Sequence, residues 1–180
     1  MLRLTSKKTL PILLEALRRL RFTQTELAEA KSISIGRVNK VVNWLKEKGI
    51  IAKETGQYVL TQPNRLADLI ATEQAISKTR TYMVTAEPQR LLQEARKAGA
   101  KVCLESALDG DKHEIHLIDT QEARAHLDTL PRGELRVHLY DYPEHAREDM
   151  DDVRTIIDLK STGKGYLAEE LVMKAWGTRQ

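Results

Sequence analysis

At 180 residues and 41% hydrophobic content, the chain is long enough to bury one large core or two small ones. No segment approaches the ~20 apolar residues of a membrane helix, the start MLRLTSKKTL holds no long apolar run, and the single cysteine, Cys103, rules out an internal disulfide framework; neither secretion nor membrane insertion is expected, and a reducing cytoplasm is. The net charge of +3 is unevenly spread: residues 1–66 hold 13 Lys+Arg against 5 Asp+Glu, a balance of +8, which leaves −5 for residues 67–180. The basic portion is therefore the one expected to meet nucleic acid.

Ser6 can cap a first helix over residues 7–20, in which Leu10, Leu13, Leu14 and Leu17 form one stripe and Pro11 falls in the tolerated first turn. Thr23 followed three residues later by Glu26 predicts a capping box: the hydroxyl accepts from the third amide while the carboxylate reaches back to the cap. A short helix with Leu27, Ala28 and Ala30 follows, broken at Lys31-Ser32-Ile33. Ser34 then caps a longer helix whose Val38, Val41, Val42 and Leu45 lie at the i, i+3, i+4, i+7 spacing of a buried face, with Gly49 as its stop. Ile50, Ile51 and Ala52, the turn Glu54-Thr55-Gly56-Gln57, and Tyr58, Val59 and Leu60 predict a hairpin. Helix, helix, tight turn, helix and hairpin, in that order, make a winged helix-turn-helix.

At about 100° per residue, Gly36, Lys40 and Asn43 lie opposite the buried stripe of the second of these paired helices, with Arg37 and Asn39 on the flanks. Arg and Lys can pair with guanine edges and Asn with adenine in a major groove. Ser34 and the amides behind it suit a phosphate, as does Lys53 near the hairpin tip. The expected DNA-contacting set is thus Ser34, Arg37, Asn39, Lys40, Asn43 and Lys53, with Gln24 or Thr25 as lesser members. ELAEAKSIS, GRVNKVVNWLKEKGIIAK and YVLT resemble the helix-turn-helix and wing of MarR-like and related archaeal winged-helix regulators, over roughly residues 5–65. Two positions depart from that pattern: Lys31 stands where an apolar residue is usual, and Ser32 where glycine is. Trp44, at the edge of the apolar stripe, is expected to pack beneath the wing.

A further helix is predicted over residues 63–77, with Leu66, Leu69, Ile70 and Ile76 inward, as a linker or dimer contact. Beyond Arg80 short strands and helices alternate. Strands are predicted at 81–85, 114–118 and 135–140, with a short apolar segment at 101–104. Helices are predicted at 88–98, from the cap Thr120 to Leu127, at 152–159 and at 166–176, where Trp176 would anchor the last one. Cys103, between Val102 and Leu104, is expected to be a small buried hydrophobe. The five histidines, His113, His116, His126, His138 and His145, have no partner at zinc-finger spacing, and Gly163-Lys164-Gly165 lacks the strand and the hydroxyl of a phosphate loop.

The stretch VRTIIDLKSTGKGYLAEELVMKAWG, preceded by VHLYDYP and LLQEARKAGAKVCLESALDG, resembles the C-terminal domain of AbiEi-type antitoxins and their archaeal winged-helix relatives. That resemblance implies a nucleotidyltransferase-like fold behind a winged helix, and a regulator that represses its own operon. Active nucleotidyl transfer is not expected: Leu104-Glu105-Ser106 lacks the glycine, Glu114 and His116 stand where two acids should, and Asp109 and Asp111 flank Gly110 in a turn. The alternative is a metal-dependent nuclease resembling the PD-(D/E)xK enzymes, built from Asp141, Asp158 and Lys160. It requires a strand over residues 153–160, so that Asp158 and Lys160 share a face; Val153, Ile156, Ile157 and a capping Asp152 fit a helix better. The expectation is an α+β protein with a winged helix-turn-helix over residues 1–65, a linker helix over 66–80 and an α/β nucleotidyltransferase-like domain with a smaller sheet over 81–180. It binds double-stranded DNA, with a protein partner or a second copy joined through the C-terminal part, and needs no metal, cofactor or catalysis.

Overall fold

A computed structural model of the chain describes residues 2–108, 110, 112–143 and 150–177. In chain order the elements are α1 (Leu10–Arg19), β1 (Arg21–Phe22), α2 (Gln24–Ala30), α3 (Ile35–Glu47), β2 (Ile51–Glu54), β3 (Gln57–Leu60), α4 (Pro63–Glu73), β4 (Ser77–Val84), α5 (Pro88–Lys97), β5 (Glu114–Ile118), α6 (Gln121–Asp128), β6 (Leu135–Asp141), α7 (Asp152–Ser161) and α8 (Glu169–Trp176), with single 3-10 turns at Leu104–Ala107 and Gly165–Ala168. This mixed α+β chain carries two small sheets and divides into two compact units, one formed by Met1–Gln74 together with Asp152–Gln180, the other by Ala75–Asp151. Among the described residues no helix is long and apolar enough to cross a membrane.

The first unit is built on local signals that the chain states plainly. Thr23 Oγ1 accepts from the Glu26 amide at 3.2 Å while the Glu26 carboxylate accepts from the Thr23 amide at 2.6 Å, so the predicted capping box forms in full. Gly49, at φ +66°, ends α3 in the left-handed region where a side chain would be strained. Leu13, Leu14 and Leu17 of α1, Leu27 of α2 and Val38, Val41, Val42 and Leu45 of α3 are all buried, as their spacing requires. The three-stranded sheet has the order β1-β3-β2 and is antiparallel throughout, Phe22 facing Tyr58 and Ala52 facing Val59 in register. β1 is two residues long, too short to leave a periodic signal in the sequence.

The expected division at residues 65 and 80 does not coincide with the observed one. α4 belongs to the first unit, burying Leu66, Ala67 and Ile70, and it ends at Glu73, where the chain turns into β4. The two C-terminal helices also belong to the first unit rather than to the 81–180 domain. α7 packs against α4 and α1, with every residue from Val153 to Leu159 buried. Trp176 Nε1 donates to the Leu17 carbonyl of α1 at 3.1 Å, fixing the end of α8. Recounted on these units, the first carries 18 Lys+Arg against 11 Asp+Glu, or +7, and the second 11 against 15, or −4.

The second unit is a three-stranded sheet of order β4-β6-β5, β4 antiparallel and β5 parallel to the central β6. Val84, Leu91, Leu92, Ala95, Ile115, Leu117, Ala123, Leu127, Val137 and Leu139 make one core between the sheet and α5 and α6. Glu87 caps α5 and Thr120 caps α6. Gly133 passes so close to β4 that a Cβ there would lie 2.2 Å from Thr85 Oγ1, which only glycine permits. Cys103, the single cysteine, is buried.

Candidate nucleic-acid interface

The outer face of α3 is polar and open. Gly36, Asn39, Lys40 and Asn43 are exposed, and the buried stripe lies on the other side. Two of these residues are held in line by their own amides: Asn43 Nδ2 donates to Asn39 Oδ1 at 2.9 Å, and Asn39 Nδ2 donates to Gln24 Oε1 at 3.3 Å. The row Asn43, Asn39, Gln24 thus spans α3 and the start of α2. Lys40 is exposed beside it.

Two expected members are placed differently. Arg37 does not reach outward with the others: it is half-buried, and its Nη2 donates to Thr9 Oγ1 at 2.5 Å, tying α3 to the start of α1. Ser34 is exposed and precedes α3, but its hydroxyl makes no cap; its carbonyl accepts the Arg37 and Val38 amides at 2.9 and 3.2 Å. Ile35, beside it, is 51% exposed, an unusual place for a large aliphatic side chain. Its spacing from Val38 and Val42 is that of the buried stripe, so its exposure at the first turn of α3 leaves no signal in the sequence.

The two departures in the turn both have a physical account. Ser32 sits at φ +50°, the left-handed conformation that glycine adopts without cost and serine does not. Lys31, whose side chain is mostly buried, lies 3.3 Å from the Glu15 carboxylate of α1, which also takes Arg19 at 2.6 Å. Burial pushes the Glu15 carboxyl up, but Arg19 and Lys31 together outweigh it and hold it below the usual carboxylate range. An ion pair therefore stands where an apolar contact would close the turn.

In the hairpin, Lys53 is exposed on β2, opposite Tyr58. The two residues between Glu54 and Gln57 both have positive φ, +42° at Thr55 and +86° at Gly56, the arrangement that matches strand twist in a two-residue turn. Arg21 of β1 reaches Glu54 near the tip at 3.1 Å, an exposed pair of small energetic weight that nevertheless places a second cation beside Lys53's strand. Trp44 is half-buried at the edge of the stripe.

The residues proposed for nuclease chemistry are engaged elsewhere. Residues 153–160 form the helix α7, so Asp158 and Lys160 point about 200° apart. Asp158 is fully buried, 2.9 Å from Arg154 Nε of the same helix and accepting from Gln74 Nε2 at 2.5 Å, while Lys160 Nζ pairs with Asp68 at 2.6 Å. Asp141 ends β6 in the second unit. Glu114 and His116 lie on the face of β5 away from α5 and α6. Glu114 bonds Arg136 and His138, each at 3.2 Å. Burial raises its carboxyl, and those two partners more than reverse the effect. His116 is buried, with Ser106 Oγ 3.1 Å from its Nδ1 and the His138 ring 5.6 Å away. Tyr140, 5.8 Å from the His116 ring, is pushed up to about 12 by burial and the nearby Glu105 carboxylate. Asp109, Asp111 and His145 lie outside the described residues. Among the described residues, no three His, Cys, Asp or Glu side chains gather closely enough to hold a metal ion.

Compared with protein-family models, with characterised proteins and with solved structures, the chain shows no significant match.

Proposed function

We propose that the first unit is a winged-helix module that binds double-stranded DNA, with α3 as its recognition helix and the β2–β3 hairpin as its wing, and that the protein is a cytoplasmic transcriptional regulator. The observation that carries this reading is the outer face of α3, where Asn39, Lys40 and Asn43 are exposed together and two of them are pre-ordered by mutual hydrogen bonds. Support comes also from the order α1, β1, α2, α3, β2, β3 with the sheet arranged β1-β3-β2, and from the +7 balance of this unit. In this reading Lys40, Lys53 and Arg21 meet backbone phosphates and the amides meet bases. The acidic second unit, with His116, His138 and Asp119 buried, serves assembly, a protein partner or sensing. The resemblance of residues 153–177 and of the segments before them to antitoxin sequences, a stretch divided between the two units, extends the proposal to repression of the protein's own operon.

The test is a duplex-binding titration across salt concentrations, followed by a footprint on the DNA upstream of the protein's own gene. Binding should weaken linearly on a log-log salt plot, and Lys53→Ala should reduce that slope by about one. A protein that leaves every duplex unbound at low salt would end the proposal.

A further inference from the structure

We infer that α3 reads A·T base pairs rather than G·C pairs, with Asn39 and Asn43 on adenine edges and Ile35 against thymine methyl groups; this rests on the duplex-binding reading above. Guanine is recognised best by the guanidinium fork, and the one arginine of α3, Arg37, is withdrawn toward Thr9. What remains on the open face are the amides of Asn39 and Asn43 with Lys40 beside them. An amide has two N–H donors and two acceptor sites on its oxygen. In the row Asn43, Asn39, Gln24, the two asparagines each spend one donor, and Asn39 also spends one acceptor site on Asn43. Each asparagine therefore keeps both a donor and an acceptor, which is the pair needed to give to adenine N7 and take from its N6 amino group.

Two further observations point the same way. Ile35, at the edge of the buried stripe, precedes Asn39 by one helical turn and leaves 51% of its surface exposed, and the thymine methyl is the apolar feature of a major-groove edge. Gly36 lies on the open face on the same side as Asn43, two turns before it, and a Cβ there would meet nothing within 4 Å. The protein's own packing does not require that glycine, although a helix does better with alanine. The space it leaves admits a base-pair edge close to the helix backbone. Lys40, a point charge without the fork, is assigned here to a backbone phosphate, as in the reading above.

The experiment uses the intact protein and a pool of randomised duplexes, selected at moderate salt, then the best duplex remade with altered bases. Selected sites should be fixed at A·T positions. Replacing the fixed adenines with 7-deazaadenine should weaken binding by about 5-fold or more, and replacing thymine with uracil should weaken it further. Replacing guanines with 7-deazaguanine should change nothing. Asn43→Ala should lose the preference with the salt slope kept, thermal unfolding showing the variant folded, while Arg37→Ala retains the preference. Salt-dependent binding whose fixed positions are guanines sensitive to 7-deaza substitution would overturn the inference and leave duplex binding standing. Absence of binding to any duplex would overturn both.

Discussion

Two helices of the first unit, α3 and α7, look alike in sequence and do opposite things with their polar residues. Each has an apolar stripe and several charges or amides. α3 turns Asn39, Lys40 and Asn43 outward, whereas α7 takes Arg154, Thr155 and Asp158 into the interior. The difference lies in what surrounds them. α3 is covered on one side, by α1, α2 and the hairpin, so the other remains open; α7 is packed by α4, α1, α8 and the 3-10 turn, leaving its polar residues to pair within the core. An acid in a suggestive motif such as IIDLK is thus better explained as half of a buried ion pair than as a metal ligand.

The largest expected effect comes from breaking the inward pair. Asp158→Ala should cost about 3–5 kcal/mol of unfolding free energy, since it strips the carboxylate from a guanidinium that has left water. Arg154→Leu combined with Asp158→Leu should restore much of that loss. Denaturant unfolding of the parent and the two variants decides it, and an Asp158→Ala protein as stable as the parent would contradict the buried pair.

Asp119 extends the inward class to the second unit. Arg124 grips it at 2.5 and 2.8 Å, and Thr79 Oγ1 donates to it at 2.6 Å, joining α6 to β4. Arg124 is the main reason its carboxyl sits below the usual range, against the opposing pull of burial. With the folded pKa depressed, its stabilisation is present above the unfolded value of about 3.9 and is lost as pH falls through the folded one. Asp119→Asn should cost about 1–3 kcal/mol at neutral pH. It should also flatten the acid limb below about pH 4 in unfolding followed by circular dichroism.

On α3 the smallest effects on stability should accompany the largest on binding. Asn43→Ala should change unfolding by less than about 0.5 kcal/mol yet cost about 1–3 kcal/mol in duplex affinity. Gly36→Ala should raise stability by about 0.5 kcal/mol while weakening the duplex complex. If both properties moved together in either variant, the outward face would be part of the fold rather than a surface for a ligand.

Which features were legible follows from how far apart the cooperating residues lie. Thr23 and Glu26, or Val38 and Val42, sit within a turn of each other, so spacing alone revealed them. The helical character of residues 153–160 was likewise readable from Val153, Ile156 and Ile157. The turn of Arg37 toward Thr9 is hidden in the sequence because nothing near it announces a partner 28 residues earlier. The placement of α7 and α8 is hidden for the same reason: Trp176 meets Leu17 across 159 residues. Ile35 shares the spacing of Val38 and Val42, so its exposure leaves no local mark.

The first unit is closed from across the second, with α7 seated on α1 and α4 and α8 tied to α1 through Trp176, while the whole of Ala75–Asp151 intervenes in sequence. A ribosome making this protein therefore releases α3 long before the core behind it can be finished. Nascent or prematurely ended chains would expose Leu17, Leu66 and Ile70 instead of a settled module. The first unit can therefore close only after α7 and α8 have been made.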